Sequence, residues 1–219
     1  MEQVAACTDV IAACSSTLRR LHLSCKLTSN DAPKLLAALA GAVDKFEALR
    51  ELRIFSVCVR SAENMTLLGR VLSKCPQLEL LQLQSCLETP HVARLMHELL
   101  GSATRLRVLL LDDNSLEDSS INSMVPLLLE SRRIRVLDLS MNSLTHSAGS
   151  ALGGLLAANK ALIVGLDISM NELDDAGKAQ ADVWRLARSL SLACSLSRAC
   201  AQVPLDSRKD CAATRRYRC

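Results

Sequence analysis

The hydrophobic residues of this chain follow one alternation that recurs six times. An apolar residue is followed three positions later by a second and two positions after that by a third. The later copies read Leu106, Leu109, Leu111; Ile134, Leu137, Leu139; and Ile163, Leu166, Ile168. The earlier ones read Leu18, Leu21, Leu23; Leu49, Leu52, Ile54; and Leu78, Leu81, Leu83. Their first residues fall at 18, 49, 78, 106, 134 and 163, in steps of 31, 29, 28, 28 and 29. Such a period marks a stack of like units. The second and third apolar residues of each copy are two apart, so on a short strand both point to one face and their neighbours to the other. Between the strands lie amphipathic segments at helical spacing: Asp31 to Leu39, Glu63 to Leu72, Pro90 to Leu100, Ser119 to Glu130 and Ser147 to Asn159. Pro90 suits an early helical turn. Pro126 sits late in its segment and is expected to bend or shorten that helix.

Each copy continues past the strand. Asn114, Asn142 and Asn171 occupy the ninth position, followed by Leu116, Leu144 and Leu173 at the eleventh. Cys86 takes the ninth position in the third copy, where Glu88 replaces the final leucine. The second copy has Val57 and Val59, and the first is one residue short before Cys25 and Leu27. The composite L-x-x-L-x-L-x-x-(N/C)-x-L, repeated every 28 to 29 residues with room for a full helix, resembles the ribonuclease-inhibitor type of leucine-rich repeat. The resemblance covers residues 18 to 178. It implies an α/β leucine-rich-repeat solenoid, a horseshoe arc with a parallel sheet on the concave side and helices on the convex side. It also implies an asparagine ladder, each amide capping backbone groups of the neighbouring turn. Val57 cannot make that bond, so the second repeat is expected to be less well held. No repeat can bury its leucines alone; stacking makes the core continuous.

The ends depart from the period. Residues 1–17 place Val4, Cys7, Ile11 and Cys14 on one face and read as an N-terminal helix, a cap or a partial repeat. The array extends over 18–190. Residues 191–219 read as a flexible tail rich in Cys, Arg and Ser; Leu190 and Leu192 mimic a strand but follow the sixth copy too closely. The ragged end also fits a truncated product of a longer repeat protein, whose open ends would invite self-association.

Composition narrows the partners. Aromatic residues are 2% of a chain that is 49% hydrophobic, so the core is built from Leu, Val, Ile and Ala in many small layers. No apolar run approaches the ~18 residues of a membrane span, and Met1 to Val10 lack a basic stretch followed by an apolar one, so neither membrane insertion nor secretion is expected. None of the ten cysteines forms a C-x-x-C pair. Cys7, Cys14, Cys25, Cys58, Cys75 and Cys86 stand singly among apolar residues and read as small buried thiols of a reducing, cytoplasmic protein. The net charge of +3 divides into +5 for residues 179–219 (eight basic, three acidic) and −2 for residues 1–178 (eighteen basic, twenty acidic). A near-neutral body argues against nucleic acid as the main partner.

Candidate chemistry is sparse. His91 and His97 are six apart and do not share a helical face as metal ligands would; His22 lies on the exposed side of the first strand and His146 where a helix begins. Gly149, Gly153 and Gly154 match no phosphate-cradling spacing and read as close packing of helix on strand. Asp112–Asp113 and Asp174–Asp175 read as solvated turns or helix N-caps. No cofactor, metal, small-molecule substrate or catalytic group is expected.

The side chains between the strand leucines form the candidate working surface. At the second position they run Arg19, Arg50, Glu79, Arg107, Arg135, Val164; at the fifth His22, Arg53, Gln82, Leu110, Asp138, Asp167; at the seventh Ser24, Phe55, Gln84, Asp112, Ser140, Ser169. The expectation is a docking surface, basic towards the N-terminus (Arg19, Arg20, Arg50, Arg53) and acidic towards the C-terminus (Asp112, Asp113, Asp138, Asp167), with Arg53 and an exposed Phe55 as anchors. Arg19, His22, Arg50, Arg53, Phe55, Gln82, Gln84, Asp112, Asp138 and Asp167 are the candidate contacts of a protein partner. The class this implies is a non-catalytic intracellular adaptor or scaffold. An alternative within the same repeat type is a GTPase activator resembling the Ran GTPase-activating proteins, from which the basic C-terminus departs, since those carry a long acidic tail.

Overall fold

Strand and helix alternate along the whole described chain. A computed structural model describes residues 17–24, 31–42, 46–57, 59, 61–87, 92–158 and 163–173. Its strands are β1 (Arg20–Ser24), β2 (Glu51–Phe55), β3 (Leu80–Gln84), β4 (Val108–Leu110), β5 (Val136–Asp138) and β6 (Gly165–Asp167). The helices between them are α1 (Ala32–Ala42), α2 (Ala62–Ser73), α3 (Val92–Ser102), α4 (Asp118–Ser131) and α5 (His146–Ala158). All six strands pair in parallel, in sequence order. The helix expected as residues 1–17 lies outside the described residues except for Thr17, and so do residues 174–219 and the positions of Cys25, Leu27, Glu88, Pro90 and His91.

The register follows the leucines. Leu21 pairs with Leu52, and Leu52 with Leu81; the row continues through Leu109, Leu137 and Leu166. Every member is buried, as is the parallel row that begins Leu23, Ile54, Leu83 and continues beyond the strands as Leu111, Leu139 and Ile168. Helical Leu35, Leu36, Leu39, Leu68, Leu72, Leu95, Leu99, Leu152 and Leu155 cover the inner side of the sheet. Layer on layer of branched aliphatic side chains is what a chain with so few aromatic residues can build. Phe46, fully buried, is the exception.

The asparagine ladder forms as the resemblance implies. Asn114 donates through Nδ2 to the carbonyls of Leu83 and Leu111 at 2.7 and 2.9 Å, and its Oδ1 accepts from the backbone N–H groups of Cys86 and Leu87 at 2.9 and 2.7 Å. Asn142 repeats this towards Leu111, Leu139 and Leu116, and Asn171 towards Leu139, Ile168 and Leu144. Cys86 substitutes partially, its thiol donating to the carbonyls of Gln84 and Ile54 at 3.0 and 3.4 Å. At Val57, which is buried, the turn is instead tied to the next repeat by a backbone bond from Val59 to Cys86. The amide missing from the second repeat is thus offset in part.

One feature of the turns has no sequence signature. The residue before each ladder position, Ser56, Ser85, Asp113, Met141 and Met170, is left-handed, with φ between 53° and 57°. Each turn therefore contains one non-glycine residue in a conformation that L side chains disfavour. Arg132 is also left-handed and closes α4, its N–H bonded to the carbonyl of Leu128.

Pro126 neither ends nor shortens its helix. α4 runs five residues beyond it and, at 14 residues, is longer than any other described helix. Burial of Ile121, Met124, Val125 and Leu128 against the core holds α4 together on both sides of the proline. Two of the three glycines of α5 also differ from expectation. Gly149 is buried and packs as anticipated, but Gly153 is half-buried and Gly154 is exposed, with nothing within 4 Å of where a Cβ would sit.

Candidate functional site

The helices cover one face of the sheet, and no described element covers the other. Strict alternation sends the third, fifth and seventh repeat positions to this open face. Of the row at the third position, Arg20, Glu51, Leu80, Val108, Val136 and Gly165, the sequence-derived surface held only Arg20 and took the second position in place of the rest. Counting outwards in twos from the buried leucines would have found it.

Glu51 is the residue whose omission mattered. Its Oε1 lies 2.7 Å from Nε2 of His22 on β1 and accepts from Nε of Arg53, on its own strand, at 2.6 Å. Arg53 donates in turn to Oε1 of Gln82 on β3 at 3.1 Å, and the Gln82 amide donates to Oδ1 of Asp112, just past β4, at 3.1 Å. His22, Glu51, Arg53, Gln82 and Asp112 therefore form one continuous polar chain across the first three strands to the turn after β4. Four of them were candidates from the sequence; Glu51 joins them together. Burial acts to raise the Glu51 carboxyl, but the hydrogen bonds from His22 and Arg53 and the Arg53 charge outweigh it and hold the group below its ordinary range.

This network changes the expected electrostatics. Arg53 is a fixed, largely covered group, its side chain only 11% exposed, rather than a reaching anchor. Phe55 is half-buried, not exposed, between its register neighbours Ser24 and Gln84. The N-terminal half is not simply basic, because Glu51 sits among its cations. Arg19 and Arg50 are exposed at the leading edge of the sheet, and Arg50 pairs with Glu79 at 3.3 Å. Arg107 and Arg135 continue that exposed row into the later repeats. Charge therefore divides along the strands, with arginines where the strands begin and aspartates where they end.

At the trailing edge, Asp138 and Asp167 are register partners on β5 and β6. Asp138 accepts from the N–H and hydroxyl of Ser140, and Asp167 from the N–H of Ser169. Burial pushes Asp112 up to about 6, helped by the charge of Asp138. Asp138 is raised too, first by burial and then by Asp167. The Asp112–Asp113 pair is thus not a helix N-cap: Glu117 occupies that place on α4, and Asp113 instead accepts from the Ser85 hydroxyl.

Other sequence candidates fall away from this face. His97 lies on the outer helical side, beside Arg70 and Glu98, and His146 opens α5. Cys75 and Cys86 are buried thiols outside any disulfide, Cys75 pushed up to about 12 by burial alone; the remaining cysteines lie outside the described residues. Among the described residues no group of three or more His, Cys, Asp or Glu side chains is arranged to hold a metal ion. No described helix is long and apolar enough to cross a membrane.

Comparison with known proteins supports the fold. No protein-family model and no curated protein matches the sequence. Among solved structures, the chain is similar to the tropomodulin C-terminal domain of Caenorhabditis elegans, with a TM-score of 0.55 and 18% identity over 72% of this chain and 93% of that one. An internalin of Listeria monocytogenes matches at a TM-score of 0.44 and 15% identity, covering 77% of this chain and 46% of the internalin. The architecture is that of a leucine-rich-repeat solenoid.

Proposed function

We propose that this chain is a non-catalytic, ribonuclease-inhibitor-like interaction module that acts in the cytoplasm as an adaptor or scaffold and grips its protein partner with the open face of the sheet. The observation that carries this reading is the polar chain from His22 to Asp112. It immobilises side chains from three strands and the turn after β4 on a face that no described element covers. Fixing them in advance lowers the entropy cost of binding, which is what distinguishes a docking surface from a merely soluble one. Phe55 beside this network supplies half-buried aromatic area, and Leu80, Val108 and Val136 add a partly covered apolar strip. Fixed polar groups around apolar area are the usual composition of a binding patch.

The test is affinity capture with the full chain beside an Arg53→Ala, Phe55→Ala variant. Alanine is preferable to a charge reversal at position 53, because a second carboxylate would then face Glu51. A partner held by the wild type and lost by a variant of unchanged circular dichroism supports the reading. Equal capture by both proteins refutes the open face as the site.

A further inference from the structure

We propose that the leading edge of the open face is the seat for an acidic segment of the protein partner, so that the partner binds in one orientation across the strands. This rests on the open face being the docking surface, and adds where on it the partner's carboxylates go.

Arg19, Arg50 and Arg107 occupy the second position of their repeats, and Arg20 the third. Together with Glu51, Glu79, Leu80 and Val108 they line a groove of about 550 Å³. All four arginines are exposed, and adjacent strands bring successive repeats to within about 5 Å of one another. Four guanidinium groups against two carboxylates leave the groove at +2. One of those carboxylates, Glu51, is already held by His22 and Arg53. The other, Glu79, meets Arg50 at 3.3 Å with both side chains near half exposed, an ion pair that is readily exchanged. A partner carboxylate arriving there meets planar donors suited to bidentate bonding, with Leu80 and Val108 beside them to cover the aliphatic part of its side chain.

Charge complementarity also decides against nucleic acid. A phosphate backbone needs an uninterrupted cationic track, whereas Glu51 and Glu79 interrupt this one. Three to five residues further along the strands, roughly 10–17 Å away, Asp112, Asp138 and Asp167 would repel a second turn of phosphates. A polypeptide with an acidic segment matches the short basic groove without crossing the aspartates.

The experiment uses the full chain and a fluorescein-labelled decaglutamate peptide, followed by anisotropy at low salt. Arg19→Ala, Arg107→Ala together lie outside the polar network and are expected to weaken the peptide by roughly five- to tenfold. The same number of charges removed from the outer helices, Arg70→Ala, Arg94→Ala, should change it by less than about twofold. Glu79→Gln should tighten it, by releasing Arg50. Equal effects of the edge and helix pairs would overturn the proposal, because the peptide would then be responding to net charge or to the basic residues 179–219. Tighter binding of a single-stranded oligonucleotide of equal charge, with the same sensitivity to Arg19 and Arg107, would also overturn it. None of these variants alters Arg53 or Phe55, so a failure here leaves the capture test of the open face standing on its own.

Discussion

Asn142→Ala is the substitution whose cost can be worked most directly from the structure. Asn142 is 8% exposed, and its side chain makes four backbone hydrogen bonds: Nδ2 to Leu111, Leu139 and Ser140, and Oδ1 from the N–H of Leu116. The losses are unequal. The carbonyl of Leu111 also accepts from Asn114, and that of Leu139 from Asn171, so both keep a partner. The N–H of Leu116 loses its Asn142 bond at a fully buried residue. One orphaned buried donor costs about 1–3 kcal/mol, and the cavity and the weakened carbonyl bonds bring the total to about 2–4 kcal/mol. Urea unfolding of the full chain, followed by far-ultraviolet circular dichroism, measures this loss, and faster hydrogen exchange at the Leu116 amide locates it. Asn142→Asp is the companion variant. Its ionised carboxylate would still accept from Leu116 but would face three carbonyl oxygens, so its deficit should shrink on acidification as the protonated carboxyl regains a donor. A cost below about 0.5 kcal/mol for Asn142→Ala, no larger than a surface substitution, would show that the ladder does not hold the turns together.

Three further outcomes follow from the same geometry. Asp112 titrates near 6 in the folded chain against an ordinary 3.8, so between those values the folded state holds more protons and stability falls as pH rises, with the full penalty above pH 6. Asp112→Asn should therefore stabilise at pH 7 by about 1–2 kcal/mol, the nominal shift discounted for partial solvation, and gain little at pH 4; a gain independent of pH would contradict the assignment. Ser56 is exposed with φ 56°, so Ser56→Gly should raise the urea midpoint by the equivalent of about 0.5–1 kcal/mol, whereas Ser143→Gly should not. The Cys75 thiol, buried and lifted to about 12, should resist iodoacetamide at pH 8 until urea unfolds the array, and rapid native labelling there would refute its burial.

The fold was legible because the repeat carries its own chemistry. Asn114, Asn142 and Asn171 stand where only a side chain that both donates and accepts can serve two turns, and the leucines two apart fix the buried face. The open face was legible only in part. Alternation places Glu51 beside His22 and Arg53, yet a reading that took the second position in place of the third passed over it and saw an unrelieved basic patch. Phe55 looked exposed because its pattern position faces outwards, but how far neighbouring strands cover an outward side chain is a matter of packing. Pro126 misled as to helix length for the opposite reason: a local preference against helix was outweighed by the burial of Ile121, Met124, Val125 and Leu128. The left-handed turns at Ser56, Ser85, Asp113, Met141 and Met170 had no signal, since no glycine marks them and Ser, Asp and Met have no common backbone preference.

The claim that matters most is that the partner sits on the open face of the sheet. Its most direct test is site-specific photo-crosslinking in the full chain, with a benzoylphenylalanine at Gln84 on the open face or at Arg70 on the outer side of α2. The account predicts a crosslinked partner from position 84 and none from position 70. A partner crosslinked from position 70 but not from position 84 would place binding on the helices and contradict it.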